Sequence, residues 1–523
     1  MGVLSRDRAV SPTAVRRAVA VTSGVLILGI VGAAASFVPG WAADFAASRG
    51  VVMPDDAAAV VTVDGSGRQT APVALVCPAQ VAMPTGTEVG DDQFDATPVE
   101  TTFQQVAAAV GGTVTSDDVA RTVMASPAND GTIRAAGLGA SVTTAGDLRG
   151  LAVGACLPAA SDQWLLGGGT RPGESALLTV TNPGETSATV TLGVFGPAGP
   201  EPVGTGGSLV LAPGQSQQVR VDALASGLRG IAVGVHASGG RVAASMQVQA
   251  LAGLVPMGVD IVDPAAVGRR LVVAGLRSDG QAVDDPHAPL LRLLAPNGEA
   301  GRVTLTVYGT DGQVFLRGAE TVDLEPGVVT DVPLGGLDAG LYAVVVDADV
   351  PVVAAGQWSR QGVMPSGSIV DGTPVDVAWI PGQAPGEAGV AAQAALPLGV
   401  HVTMSMFAGG DDASSQAAAD SPVTVRLVDQ GGKTAVEQQV PLSAGALATV
   451  DISALVDVVL ADSATAAPLL LTVTPGPTQQ LTWTLTLTAN DTTDKPETLT
   501  ATLNPTWPIA PQGPVSVRQV PIR

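Results

Sequence analysis

Hydrophobic and polar positions alternate with period two in short runs along most of the chain. Leu177 to Thr181, Thr189 to Phe195, Leu290 to Leu294 and Val303 to Tyr308 are such runs, and the turns Asn182-Pro183-Gly184, Pro296-Asn297-Gly298 and Asp311-Gly312 punctuate them. Successive side chains of a strand point to opposite faces, so alternation predicts strands with one face buried and one wet. Two such sheets shield their apolar faces by packing together. About seven short strands, with a turn every 8 to 12 residues or so, predict a β-sandwich of roughly 100 residues.

The order of motifs repeats. Trp164-Leu165-Leu166-Gly167, Val272-Val273-Ala274-Gly275 and Trp379-Ile380-Pro381-Gly382 stand 108 and 107 residues apart and are read as openings of successive units. Leu211-Ala212-Pro213-Gly214 returns as Leu324-Glu325-Pro326-Gly327 and as Leu442-Ser443-Ala444-Gly445. Gly230-Ile231-Ala232-Val233 returns as Gly340-Leu341-Tyr342-Ala343, and Gly253-Leu254-Val255-Pro256 as Gly362-Val363-Met364-Pro365. The expected fold is all-β: tandem antiparallel β-sandwich (Ig-like) domains after one N-terminal transmembrane helix. The alternative is a β-propeller in which each unit supplies two blades. The predicted repeats are residues 164–270, 271–377 and 378–494, preceded by a diverged β domain at 44–163 and followed by a tail, 495–523, with an edge strand placed at Val515 to Val520. In the diverged domain Ser116-Asp117-Asp118 predicts the cap of a short helix running to Met124. In the third repeat the acidic, small-residue stretch Gly409 to Pro422 reads as a flexible loop.

The amino end breaks the pattern. Arg6, Arg8, Arg16 and Arg17 belong to a basic tail, 1–17, ahead of an uncharged run of 21 residues, Ala18 to Val38. A helix of that length spans about 30 Å, the thickness of a bilayer core. Arginines on its amino side orient it with that end in the cytoplasm. The expectation is a signal-anchor at 18–38 in the cytoplasmic membrane, single-pass, with the bulk of the chain extracytoplasmic. A cleaved signal peptide using Ala33-Ala34-Ala35 is the alternative. Cys77 and Cys156, two cysteines in the exported part, predict a disulfide.

Composition sharpens this picture. With 64 Gly and 39 Pro among 523 residues, long helices are disfavoured throughout. A net charge of −22 excludes nucleic acid as a partner, since phosphate recognition needs a positive surface. The three histidines, His236, His287 and His401, have no metal-ligand spacing, and no G-x-S-x-G elbow is present; Gly65-Ser66-Gly67 is too short. Asp347 with Asp349, and Asn490 with Asp491 and Asp494, read as solvated turns, because neither has the glycine and terminal glutamate of a calcium loop. No catalytic residue, metal ligand or cofactor site is expected.

The order Cys77-Pro78, a Gly-Leu-Ala strand ending at Cys156, Trp164 with Gly167 and Gly168, then a strand closed by Asn182-Pro183-Gly184, resembles an uncharacterised family of membrane-anchored, secreted actinobacterial proteins. The run Val350-Pro351-Val352-Val353-Ala354-Ala355 is similar to sandwich modules of bacterial surface proteins. The resemblance carries no catalytic residues to transfer. It fits a non-catalytic envelope scaffold, accessory or binding protein, held in the cytoplasmic membrane by its N-terminal helix, whose partner is an envelope protein or wall polymer. A carbohydrate-active enzyme and a surface adhesin are the alternatives.

Overall fold

The computed structural model describes residues 72–83, 101–117, 121–316, 318, 320–364, 370–409, 421–429, 433–462, 470–491 and 497–509. The segment 18–38, the loop core at 410–420 and the strand expected at Val515 to Val520 lie outside these residues. No helix among the described residues is long and apolar enough to cross a membrane. The fold is all-β, built from several antiparallel sheets. Its strands lie in one compact body, Pro54–Ala295 with Glu299–Arg523; of the other, Met1–Met53 with Pro296–Gly298, only the turn Pro296-Asn297-Gly298 is described.

One strand order recurs four times among the described residues. In the second group the opening strand Asp162–Leu166 pairs with Ala232–Ser238, which pairs with Ala188–Gly196; Gly199–Glu201 and Ser208–Leu211 lie on the edge beyond. Its other sheet runs Ser216–Arg220, Glu174–Thr181, Ala243–Ala252, Val255–Val262. The third group repeats this order from Val267–Ser278 to Val375–Pro381. There one 22-residue strand, Gly340–Gln361, serves both sheets. The second group breaks at that place because Gly239 turns the chain with φ +77°, whereas Val350-Pro351-Val352 keeps it extended. Leu271, Leu291, Leu305, Val344, Val352 and Ile380, drawn from both sheets of the third group, share one core.

The fourth group follows the same order: Ala392–Ala395, Leu470–Thr474, Val423–Val428 and Thr434–Val440 in one sheet, Leu447–Asp451, His401–Ala408, Leu481–Ala489 and Leu499–Leu503 in the other. An 11-residue helix, Ile452–Asp462, sits in the connection; Asp451 Oδ1 accepts the Ala454 N–H in its first turn. The first group is a shortened copy. Leu157–Pro158, Val73–Val76, Thr122–Ala125 and Val114–Asp117 face Thr101–Ala109, Ala135–Thr143 and Gly150–Ala155, and among the described residues nothing corresponds to Gly199–Glu201, Ser208–Leu211 and Ser216–Arg220.

Three expectations are corrected. Where the sequence predicts a helix from Ser116-Asp117-Asp118 to Met124, the described residues Val114–Asp117 and Thr122–Ala125 are paired strands: Thr115 pairs with Met124, and β-branched Val114, Thr115, Thr122 and Val123 favour the extended chain. Trp379-Ile380-Pro381 does not open the unit at 378. Val375–Pro381 pairs with Ala355 to Gln361 and so closes the group before it. The boundaries at 377 and 494 move accordingly, because Leu499–Leu503, assigned to the tail, pairs with Leu485 to Ala489.

The closing strands, Gly150–Ala155, Val255–Val262, Val375–Pro381 and Leu499–Leu503, are each the edge of a sheet, and they approach one another in cyclic order, the last returning to the first. A buried sheet edge leaves backbone N–H groups without a ladder partner. Side-chain carboxylates take them instead. Asp376 Oδ2 accepts from Leu151 N at 3.0 Å and Thr500 N at 2.7 Å, Asp260 Oδ2 from Trp379 N at 2.7 Å, and Asp263 Oδ2 from Ala155 N at 2.8 Å. Glycine makes the approach possible. A Cβ on Gly150 would stand 2.6 Å from both Asp376 Oδ1 and Val259 Cγ1, and one on Gly154 2.7 Å from Ile261 Cγ2.

Apolar clusters seal three of the junctions. Ala152 packs with Val259 and Ile261 between the first and second groups. Val272 and Val345 pack with Phe407 and Leu447 between the third and fourth. Leu138, Leu151 and Val153 of the first group join Trp483 and Leu485 of the fourth in one core, and a backbone bridge joins Ile133 of the first group to Ile509. Arg149 and Asp491, 342 residues apart, add a buried ion pair at 2.7 Å across that closure.

Candidate ligand-binding cleft

At the junction of the second and third groups a cleft of about 770 Å³ opens. One wall comes from the hairpin Val248 to Gly258 and from Gly168, Gly169 and Arg229; the other comes from the loop Asp285 to Ala288, from Asp331 and Pro333, and from Gln357 to Ser359 and Val375 to Trp379. Its size falls within the roughly 300 to 1,000 Å³ usual for small-ligand pockets, which favour such junctions.

Arg292 holds the two walls together. It is buried on Leu290–Leu294, grips both oxygens of Asp331 through Nε at 2.7 Å and Nη2 at 3.0 Å, and donates from Nη1 to the Gly168 carbonyl at 2.6 Å and the Ile231 carbonyl at 3.3 Å. Its guanidinium carbon lies 4.8 Å from the ring centre of Trp379. A charge this deep is tolerated when every donor has an acceptor and an opposite charge is present. Gly230 leaves the space: a Cβ there would meet Arg292 Nη2 at 2.5 Å. At the rim Arg171 pairs with Glu174 at 2.6 Å, and that carboxylate raises the pKa of the guanidinium.

Ser359, His287 and Asp285 all line this cleft, which raises the question of a nucleophilic triad. Their hydrogen bonds go elsewhere. Ser359 Oγ donates to the backbone carbonyl of His287 at 3.2 Å, and Asp285 Oδ1 accepts the backbone N–H of His287 at 2.8 Å. A triad needs the imidazole itself to bridge hydroxyl and carboxylate. These bonds shape a loop instead.

The other expected positions are scattered. Cys77 and Cys156 form a disulfide. His236 Nδ1 meets Asp162 Oδ1 at 2.7 Å on the surface, and His401 Nε2 lies 3.9 Å from an exposed Asp451. Asp347 pairs with Arg270 at 3.4 Å, and Asp349 Oδ1 accepts the Arg302 N–H. Asp491, read from sequence as part of a solvated turn, is instead the buried partner of Arg149. Asp494 and Gly65-Ser66-Gly67 lie outside the described residues. No group of three or more metal-binding side chains occurs among the described residues.

A family model covers residues 110–453, well over half of the chain and the whole of the cleft. The chain belongs to a family of unknown function, DUF5719. It matches none of the curated proteins. The DUF5719 region runs from the first group into the helix of the fourth, so the cleft lies within the part by which the family is recognised.

Proposed function

We propose that this DUF5719 chain is a non-catalytic envelope protein of actinobacterial type. In this reading residues 18–38 anchor it in the cytoplasmic membrane, tandem sandwich modules stand outside, and the cleft between the second and third groups binds an envelope protein or wall polymer. The observation that carries binding over catalysis is the wiring of the cleft. Arg292 is spent on Asp331 and two carbonyls, Arg171 on Glu174, and the Ser359 and Asp285 side chains on the backbone of His287. Groups held this way position walls and have little freedom to exchange protons with a substrate. The disulfide supports an oxidising compartment, where such bonds persist.

Alkaline phosphatase fused after Gly168 is expected to be active in cells, and the purified chain is expected to leave wall polysaccharide and peptide intact. A fusion active only with a cytoplasmic reporter would overturn the location. Turnover that disappears in Asp285→Asn would overturn the non-catalytic reading.

A further inference from the structure

We propose that the cleft recognises a ligand with a compact apolar body and one anionic group, carboxylate or phosphate, seated at Arg229. This rests on the cleft being a binding site, and it names the chemistry that the site selects.

Of the three arginines lining the cleft, two are already committed. Arg171 is held by Glu174, and Arg292 has Asp331 on one side and two backbone carbonyls on the other. Arg229 is exposed and makes no ion pair among the described residues, so its guanidinium is the one cation of the lining without a carboxylate partner. Of the acids, Glu174 and Asp331 are neutralised by their own arginines, and Asp285, which has no ion pair among the described residues, accepts the His287 N–H in the loop on the opposite wall from Arg229. A cation on a flexible stem, in a cavity whose other two arginines are already paired, is the place where an anion gains a charge-assisted hydrogen bond. His287 and Gln357 line the same cavity and can supply further polar contacts.

Much of the rest of the wall is apolar. Leu251, Met257 and Val377 are only partly covered and border the cavity, with Pro286 and Pro333 exposed at its rim. Ligand pockets of this size combine such an apolar lining with a few polar anchors that fix orientation. In a chain of net charge −22 distant steering disfavours anions, so selection here has to come from short-range contact with Arg229.

The test uses the full chain in nanodiscs with ¹³C-methyl methionine, the Met257 signal being assigned by Met257→Leu. The probes are N-acetyl-leucine, its neutral carboxamide and phenyl phosphate. A saturable shift of Met257 with either anion and a much smaller one with the carboxamide is expected. Arg229→Gln should weaken the anion about tenfold, and Arg229→Lys should recover most of that loss. The relative response to N-acetyl-leucine and phenyl phosphate identifies the preferred anionic group. Equal binding of acid and carboxamide, unchanged in Arg229→Gln, would overturn the anionic anchor while leaving the cleft a binding site. No response of Met257 to any probe would overturn this inference and count against the binding reading itself.

Discussion

Asp376→Ala is expected to destabilise the protein by several kcal/mol and to loosen the meeting point of all four groups. Asp376 is fully buried and takes the N–H groups of Leu151, Thr500 and Val377, which belong to three different closing strands. Removing the carboxylate strands those donors inside the protein, and each orphaned group costs about 1 to 3 kcal/mol. Asp376→Asn keeps one oxygen for Leu151 and Thr500, so its loss should be smaller. Urea unfolding of the two variants against the parent measures the difference. Equal stability in all three would remove the carboxylate from the account of ring closure.

The same site sets a pH dependence. Burial pushes Asp376 up to about 7, against the opposing pull of its N–H bonds and of Arg149, and burial pushes Asp263 up to about 7 as well. Asp260 is raised too, by burial and by the neighbouring Asp376 and Asp263. A carboxyl whose pKa is higher folded than unfolded binds a proton on folding, so its contribution to stability is complete below about pH 4 and lost as pH rises through about 7. The melting temperature should therefore fall from pH 5 to pH 8, with a shallower fall in Asp376→Asn. Asp130, held near 2 by Arg134, acts in the opposite sense only at much lower pH.

Reduction of the Cys77–Cys156 bond is the second large effect. The bond closes a loop spanning 79 residues, worth on the order of 4 kcal/mol in the chain-entropy model. The first group needs it most. Among its described residues it has no counterparts of Gly199–Glu201, Ser208–Leu211 and Ser216–Arg220, and a smaller sheet buries less apolar surface. In the other groups the opening strand is bridged by backbone alone to the chain after the closing strand, at Trp164 with Ala265, Val272 with Gln383 and Gln393 with Thr506. In the first, Val76 pairs with Leu157 and the disulfide lies beside that pair. Cys77→Ser with Cys156→Ser should lower the unfolding midpoint and raise amide exchange in residues 72–83 and 101–158 before the rest. Unchanged exchange there would contradict the role given to the bond.

Period-two alternation and turn residues made the all-β class legible, and the Pro-Gly and Gly-Leu echoes made the repetition legible. Strands of opposite role were harder to separate. Trp379-Ile380-Pro381-Gly382 imitates Trp164-Leu165-Leu166-Gly167, yet one closes a group and the other opens one. Both end at the same crowded place, where a Cβ on Gly167 would touch the Trp379 ring at 3.2 Å, so packing demands similar residues of both. The first group reads as diverged because it has fewer strands among its described residues and with them lacks the turns by which the others are known. Phe195 and Tyr308 mark another rule visible only in three dimensions. Each packs against a turn glycine of the following group, Gly327 and Gly445, and the corresponding strand end in the fourth group carries Val428. The cleft gathers residues from Gly168 to Trp379, and no local pattern joins them.

The most direct test of the functional claim is photo-crosslinking in intact cells. A benzophenone side chain is placed at Met257 in the cleft, and in a second strain at Val210, which is exposed on an edge strand and does not line it. A binding cleft outside the membrane predicts a reproducible adduct with an envelope protein or wall polymer from Met257 and none from Val210. The same adducts from both positions, or an adduct from Met257 with a cytoplasmic protein, would contradict it.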